Sequence, residues 1–525
     1  MIERFFMNKK EIYFSLVLLF SIITFIVNLK LSSSLNLYGD TAMNYTILEN
    51  AQKEGFLFNP IFPSLMKYSF IDSVYTQPLA FFNNNNFNFE DSIYSQAVNH
   101  LRFHFYAIIF LLAPLVKMFS AKIIVNTLNI SSFFGLLFLG YCLLRNQRIP
   151  IFLSLLSVLA FSFNLAWSQS LFHQPFYDRL FMVMSFAFVL TCVKKNFSPI
   201  YFILALLISS MTVEKALIYN AIFLFSYVVA NFQKIDQVRL KYFLGAAFFC
   251  FFIFLLVSRL YLNNPYYQSA IPHSLSDLFY RITEILTIED QKNRTFTFLL
   301  EVSPLLILPL FFAFRFFLIA FIILIPNIIG NIGGAEKIGF STHYHSLYLG
   351  FLCFAYLLAI NNLYKSNIKF KRIFIFLYLM LTILFYLFFS INNKNLIEFK
   401  FSNLNYVNQI ADFYKSRGSA QKNQDLINNL IPKESRLSVS ETAMAYVYDF
   451  KNLSFFPYNY ENSDFLIVQY SVVQGKNLPY FMTLLGEDHN IKSRLAIYNR
   501  LVDAGFNPEK PLAISPDFMI IGKEL

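Results

Sequence analysis

The stretch "IYFSLVLLFSIITFIVNL" at 12–29 decides the fold class. It is an unbroken run without a charge, and its only polar members are Ser15, Ser21, Thr24 and Asn28. As a helix it is about 27 Å long, close to the ~30 Å of hydrocarbon in a bilayer. The residues before it, "MIERFFMNKKE", are mostly basic and apolar. That order resembles a secretory leader, but the run exceeds the roughly 7–15 residues of a leader core. "LSSSL" at 31–35 is a poor substitute for a small-residue cleavage site. The expectation is an uncleaved first membrane span.

The pattern recurs along the chain, at 104–119, 122–144, 150–168, 176–193, 198–213, 216–231, 241–262, 297–314, 316–332, 345–361 and 372–391. Composition agrees: the 525 residues are 56% hydrophobic and 14% charged, where soluble domains carry roughly 25% charge. The runs are continuous rather than alternating, which excludes a transmembrane β-barrel. Helices are then the remaining way to satisfy backbone groups in lipid. The net charge of +11 reports topology rather than nucleic-acid binding, because Lys and Arg gather in short stretches between apolar runs. Cys142, Cys192, Cys250 and Cys353 sit in or beside apolar runs and read as packing residues. Trp167, the only Trp, fits an interface anchor.

Positive clusters stand at 4–10, 145–148, 194–195, 233–241, Arg315 and 365–372. They share one side of the membrane if 104–119 does not cross, or if two other short segments fuse into one span. Segment 104–119 is short, contains Pro114, and is expected as an interfacial or re-entrant helix. About eleven spans follow, with the N-terminus cytoplasmic and the C-terminus outside. The domain plan is a transmembrane region over 1–391, with a large first extracytoplasmic loop at 31–121, and a small extracytoplasmic α/β domain over 392–525. In that last region, 406–417 reads as a polar helix, and 436–441, 464–470 and 517–523 as strands. Residues 494–506 read as a helix closed by Gly505.

The order is one span, an outer loop opening with Asp40, an interfacial helix, then a second acid at the outer end of the next hairpin. Segments such as "DTAMNYTILENAQKEG" (40–55), "SLFHQPFYDRLFMVMSFAFVL" (170–190), "MTVEKALIYNAIFLFSYVV" (211–229) and "HYHSLYLGFLCFAYLLAI" (343–360) carry a likeness. With them the chain resembles the GT-C superfamily of polyprenyl-phosphate-sugar-dependent membrane glycosyltransferases. More narrowly, it looks like an uncharacterised prokaryotic family of polytopic proteins grouped near those enzymes. The resemblance implies an inverting transfer of sugar from a lipid-phosphate donor to a glycan, lipid or protein acceptor. It implies Asp40 as general base, Asp178 near the reaction centre, and the bacterial inner (cytoplasmic) membrane as location. No paired acidic motif stands beside Asp40, so a divalent metal is neither required nor excluded, and the cofactor is unknown.

The residues themselves leave two readings at each position. Asp40 follows Gly39 and is placed either as a base or as a cap for the helix after it. His100, Arg102 and His104 suit an anionic headgroup, or simply snorkel. His173, Asp178 and Arg179 stand where two spans meet the outer face, where charge must be paired or functional; otherwise they are a cap and a snorkelling cation. Glu214 and Lys215 split two apolar runs, and Lys215 offers a point charge to a phosphate; a plain ion pair is the other reading. His343, Tyr344 and His345 open a late span and suit phosphate or sugar hydrogen bonding, or part of a metal site short of ligands. No phosphate loop, H-E-x-x-H, G-x-S-x-G or C-x-x-C pattern occurs. Two rival functions stand beside transfer: a lipid-linked saccharide transporter or flippase, and a non-catalytic envelope scaffold. Membrane lipid is an expected partner and nucleic acid is not.

Overall fold

The computed structural model describes residues 9–35, 37, 39–53, 58–59, 98–99, 104–262, 274–330, 335–391, 397–399, 405–450, 452–456, 460–480, 482–483, 486–487 and 491–524. Helices dominate. In chain order they are α1 (Lys9–Ser32), α2 (Gly39–Lys53), α3 (Ile109–Leu112), α4 (Ala121–Asn146), α5 (Ile151–Ser162), α6 (Leu165–Phe172), α7 (Leu180–Val193), α8 (Pro199–Ser210) and α9 (Glu214–Asn231). There follow α10 (Gln237–Leu256), α11 (Leu275–Thr287), α12 (Glu289–Phe312), α13 (Phe314–Ile329), α14 (Ser346–Lys365), α15 (Lys371–Phe388), α16 (Asn405–Lys415), α17 (Ser419–Leu430) and α18 (Ile491–Asp503).

Among the described residues, seven helices are long and apolar enough to cross a membrane, or eight if α5 and α6 form one bent span. The chain is therefore a polytopic helical membrane protein. Several expected runs are realised as shorter helices. Residues 176–193 begin with a 3-10 turn at Tyr177–Arg179, so α7 has only 14 residues. Run 150–168 breaks at Asn164, where α5 and α6 meet at 72°. The segment 104–119 holds only α3 and a 3-10 turn at Ala113–Lys117. Pro114 withholds a backbone donor there.

The chain divides into two compact units, cut differently from the expected domain line. The first comprises 1–27, 102–108 and 126–412. Its centre is α14, buried along nearly its whole length. A helix apolar on all sides belongs in a core. Gly350 of α14 meets α7 so closely that a Cβ would collide with the Ser185 Oγ and the Met182 carbonyl. Small residues are what allow helix backbones to approach in membranes. Gly350→Val is expected to lower stability by roughly 1–3 kcal/mol through overpacking, read by thermal unfolding of the purified protein; a variant as stable as the parent would refute this account of the contact. Helix α1 is different, with Tyr13, Phe14, Val17 and Phe20 exposed. Its foot is held by Glu11, whose Oε1 accepts from Tyr141 Oη at 2.6 Å and from Arg145 Nε at 2.6 Å. A strand pair, β3 (Phe389–Ile391) with β4 (Ile397–Phe399), also belongs to this unit.

The second unit comprises 28–101, 109–125 and 413–525. A short pair, β1 (Phe58–Asn59) with β2 (Val98–Asn99), lies in its first segment. Its main sheet uses β5 (Leu437–Val439), β6 (Leu453–Phe455), β7 (Phe465–Val473), β8 (Lys476–Tyr480), β11 (Ala513–Ile514) and β12 (Met519–Gly522). The order is β11-β12-β7-β5-β6, with β8 also on β7. β5 runs parallel to both β6 and β7, while β12 and β8 are antiparallel to β7. β9 (Met482–Thr483) and β10 (Gly486–Glu487) form a separate pair. Leu466, Ile467, Val468, Ile520 and Ile521 are fully buried, as two covered faces require. The sheet region at the C-terminus is thus present, and α18 ends as expected. Gly505 adopts φ +89°, and Phe506 N donates to Leu501 O at 2.8 Å.

Candidate functional site

Four pieces of the first unit supply one polar cluster: 104–108, the turn Tyr177–Arg179, the start of α9, and the turn His343–His345 that opens α14. Ile108 N donates to Met211 O at 2.7 Å, which ties the first piece to the turn before α9. Phe176 is extended and Leu180 helical, so the backbone tightens between them and turns Asp178 inward.

Asp178 is fully buried, and among the described residues neither of its carboxylate oxygens receives a hydrogen bond. His343 Nε2 lies 3.8 Å from Oδ2. That is too long for a hydrogen bond, and among the described residues this nitrogen has no hydrogen-bond partner. Asp178 precedes α7 and lies outside the membrane-spanning helices. Burial pushes its carboxyl up to about 6, opposed by the charges of Lys215 and His104 and reinforced by Glu214. The Tyr106 phenol faces the carboxylate and favours its charged form, outside the geometry of a true hydrogen bond.

The neighbours hold one another in place. Glu214 is buried at the first turn of α9, where a helix N-terminus favours negative charge. Its Oε2 accepts from Phe105 N at 2.8 Å, and its Oε1 lies 3.1 Å from His104 Nδ1. The ring of His343 packs 4.6 Å from Phe176 and 4.2 Å from Tyr344. The Lys215 ammonium sits 4.5 Å above the Tyr344 ring. Tyr106 packs 5.1 Å from Tyr177. His173, half-buried at the end of α6, lies close enough for its charge to act on His343.

The sequence candidates therefore separate. His104, Asp178, Glu214, Lys215, His343 and Tyr344 converge, with His173 nearby. Arg179 turns away from this group: Nη1 donates to Ser170 O at 2.5 Å, and Nη2 donates to Ser341 O at 3.0 Å. The guanidinium also lies over Phe133 and Phe176, so Arg179 staples backbone segments together. His345 is buried with Phe298 and Phe340, its Nδ1 2.9 Å from Tyr348 Oη. Trp167 is 1% exposed, packed against Phe133 and Phe134. That corrects its expected place as an interface anchor. His100 and Arg102 lie outside the described residues. The four cysteines are buried free thiols.

Asp40 belongs to the second unit. It stands half-buried in the first turn of α2, where a carboxylate also suits the helix dipole. Thr46 of α2 donates to Ala42 O at 2.9 Å and to Tyr448 O at 3.1 Å, and Tyr45 packs edge-on against Tyr448.

One buried polar group was not anticipated. Glu301 of α12 receives Leu165 N at 3.0 Å and the Asn164 amide at the break between α5 and α6. Tyr386 Oη donates to Glu301 O at 2.8 Å. The available signal was an acid inside the apolar run 297–314. Among the described residues, no group of three or more His, Cys, Asp or Glu is placed to hold a metal ion. No protein-family model matches the sequence, and no curated protein matches it.

Proposed function

We propose that the chain is an integral membrane glycosyltransferase of GT-C type. It moves a sugar from a polyprenyl-phosphate donor to an extracytoplasmic acceptor. The observation that carries this reading is the buried Asp178 carboxylate, which among the described residues receives no hydrogen bond of proper geometry, beside His343 and within the field of Lys215. Such a group is poised to take a proton, since a base works best with its pKa near ambient pH. In the reaction, an acceptor hydroxyl attacks the anomeric carbon and its proton passes to a carboxylate. The bond from that carbon to the phosphate oxygen breaks with inversion. Lys215 stabilises the charge that grows on the departing lipid phosphate.

The accompanying topology has about eleven spans. It counts the bent pair α5–α6 as one and includes α7, α8 and α13. The N-terminus is cytoplasmic, the basic turns face the cytoplasm, and the sheet unit is extracytoplasmic in the bacterial inner membrane. The resemblance also nominates Asp40 as base. Asp40→Asn in the purified protein discriminates between the two carboxylates: a loss of roughly 10²–10⁴-fold with folding intact assigns the proton to Asp40 instead of Asp178. Unchanged turnover removes Asp40 from the mechanism and leaves Asp178 as the acid–base group. The substrate class is tested by mass spectrometry of lipid-linked sugars and surface glycans with and without the gene; identical profiles refute the proposal.

One observation favours the transporter reading: the 72° break between α5 and α6 with Asn164 and Glu301 at it. Discontinuous helices line substrate paths in transporters. Movement of a lipid-linked saccharide across liposomes without a new glycosidic bond would select that reading.

A further inference from the structure

We propose that α11 is a lipid-docking helix whose apolar face lies in the acyl region of one membrane leaflet. A helix on a soluble protein buries its apolar stripe and shows its charges to water. α11 does the reverse. Leu275, Phe279, Ile282 and Leu286 fall on one side at helical spacing and are 74%, 66%, 38% and 71% exposed. The charged residues occupy the other half. Arg281 is 6% exposed and pairs with Asp277 at 3.2 Å. Glu284 is half-buried, and its charge acts on the buried Lys337.

The polar half is therefore turned toward the chain's own polar residues, as α11 packs on α12 and α13. Water outside the apolar half would be unfavourable, because apolar surface left in contact with water costs free energy in proportion to its area. Lipid removes that penalty. Continuity supports the same occupant: a single residue, Ile288, separates α11 from α12, which is long and apolar enough to span. Helices with this strong segregation lie in the interface plane with the apolar face sunk among the acyl chains.

The test uses the full chain reconstituted in phosphatidylcholine vesicles, with a nitroxide at Phe279→Cys and, separately, at Leu286→Cys. The native thiols are all buried, so labelling is selective. Lys510→Cys, on the exposed surface of the sheet unit, provides the aqueous reference. At both helix positions molecular oxygen is expected to relax the label more than a water-soluble nickel chelate, with nickel relaxation lost relative to Lys510. Greater nickel than oxygen access at either position overturns the proposal. Low access to both reagents, as under a second copy of the chain, overturns it as well. If either variant fails to fold, Leu275→Cys reads the same face.

Discussion

Asparagine at position 178 is expected to lower sugar transfer by roughly 10²–10⁴-fold, the usual contribution of a general base, while making the fold more stable at neutral pH. The two effects have one origin. Burial raises the Asp178 carboxyl from 3.8 to about 6, so the folded state prefers the protonated form. That preference stabilises the chain fully below about pH 4 and is lost as pH rises through about 6. At pH 7 the ionised group opposes folding by about 3 kcal/mol at most, from 1.36 kcal/mol for each pKa unit. Asparagine keeps the shape and removes the charge. The parent's activity should rise as pH passes about 6, and the variant should lose that limb. Activity and stability moving together in the variant would show Asp178 to be a structural residue.

The second large effect is expected at Glu301. Its carboxylate takes Leu165 N–H and the Asn164 amide where α5 gives way to α6. Asn164 in turn caps α6 by accepting from Trp167 N at 3.3 Å. Glu301→Ala leaves Leu165 N–H without its acceptor and the Asn164 amide with only Tyr386 Oη at 3.3 Å, at about 1–3 kcal/mol for each lost partner. The variant should lose roughly 3–5 kcal/mol, measured by thermal unfolding in detergent. Glu301→Gln keeps an acceptor oxygen and should lose less. Equal losses in both variants would show that charge, rather than acceptance at the helix break, is what matters there.

What the sequence made legible followed from local rules. Apolar runs such as 12–29 and 372–391 appear as α1 and α15, because a membrane forces the backbone to bond within each segment. The cap at Gly505 and the three tail strands followed from turn chemistry and alternation. For the site, the residues could be named but not assembled. Asp178, Glu214, Lys215 and His343 each stood out as polar side chains at the ends of apolar runs. Nothing in their spacing said that turns from four separate segments would bring them together. Asp178 and Arg179 are adjacent, yet one faces the cluster and the other binds two carbonyls. That division depends on backbone angles in a 3-10 turn. Residues 150–168 read as one span because Asn164 looks like an ordinary polar interruption. Glu301, far along the chain, accepts from Leu165 N and the Asn164 amide at the break, and nothing in the local sequence points to it.

The Glu11–Arg145 pair at the foot of α1 has a consequence for how the protein is made. The two residues are 134 positions apart, so Glu11 reaches the bilayer well before its counter-ion has been synthesised. Until then α1 lacks this partner, and its flank of Tyr13, Phe14, Val17 and Phe20 stays exposed in the finished fold. The contacts of Glu11 with Tyr141 and Arg145 can therefore form only after α4 has been made.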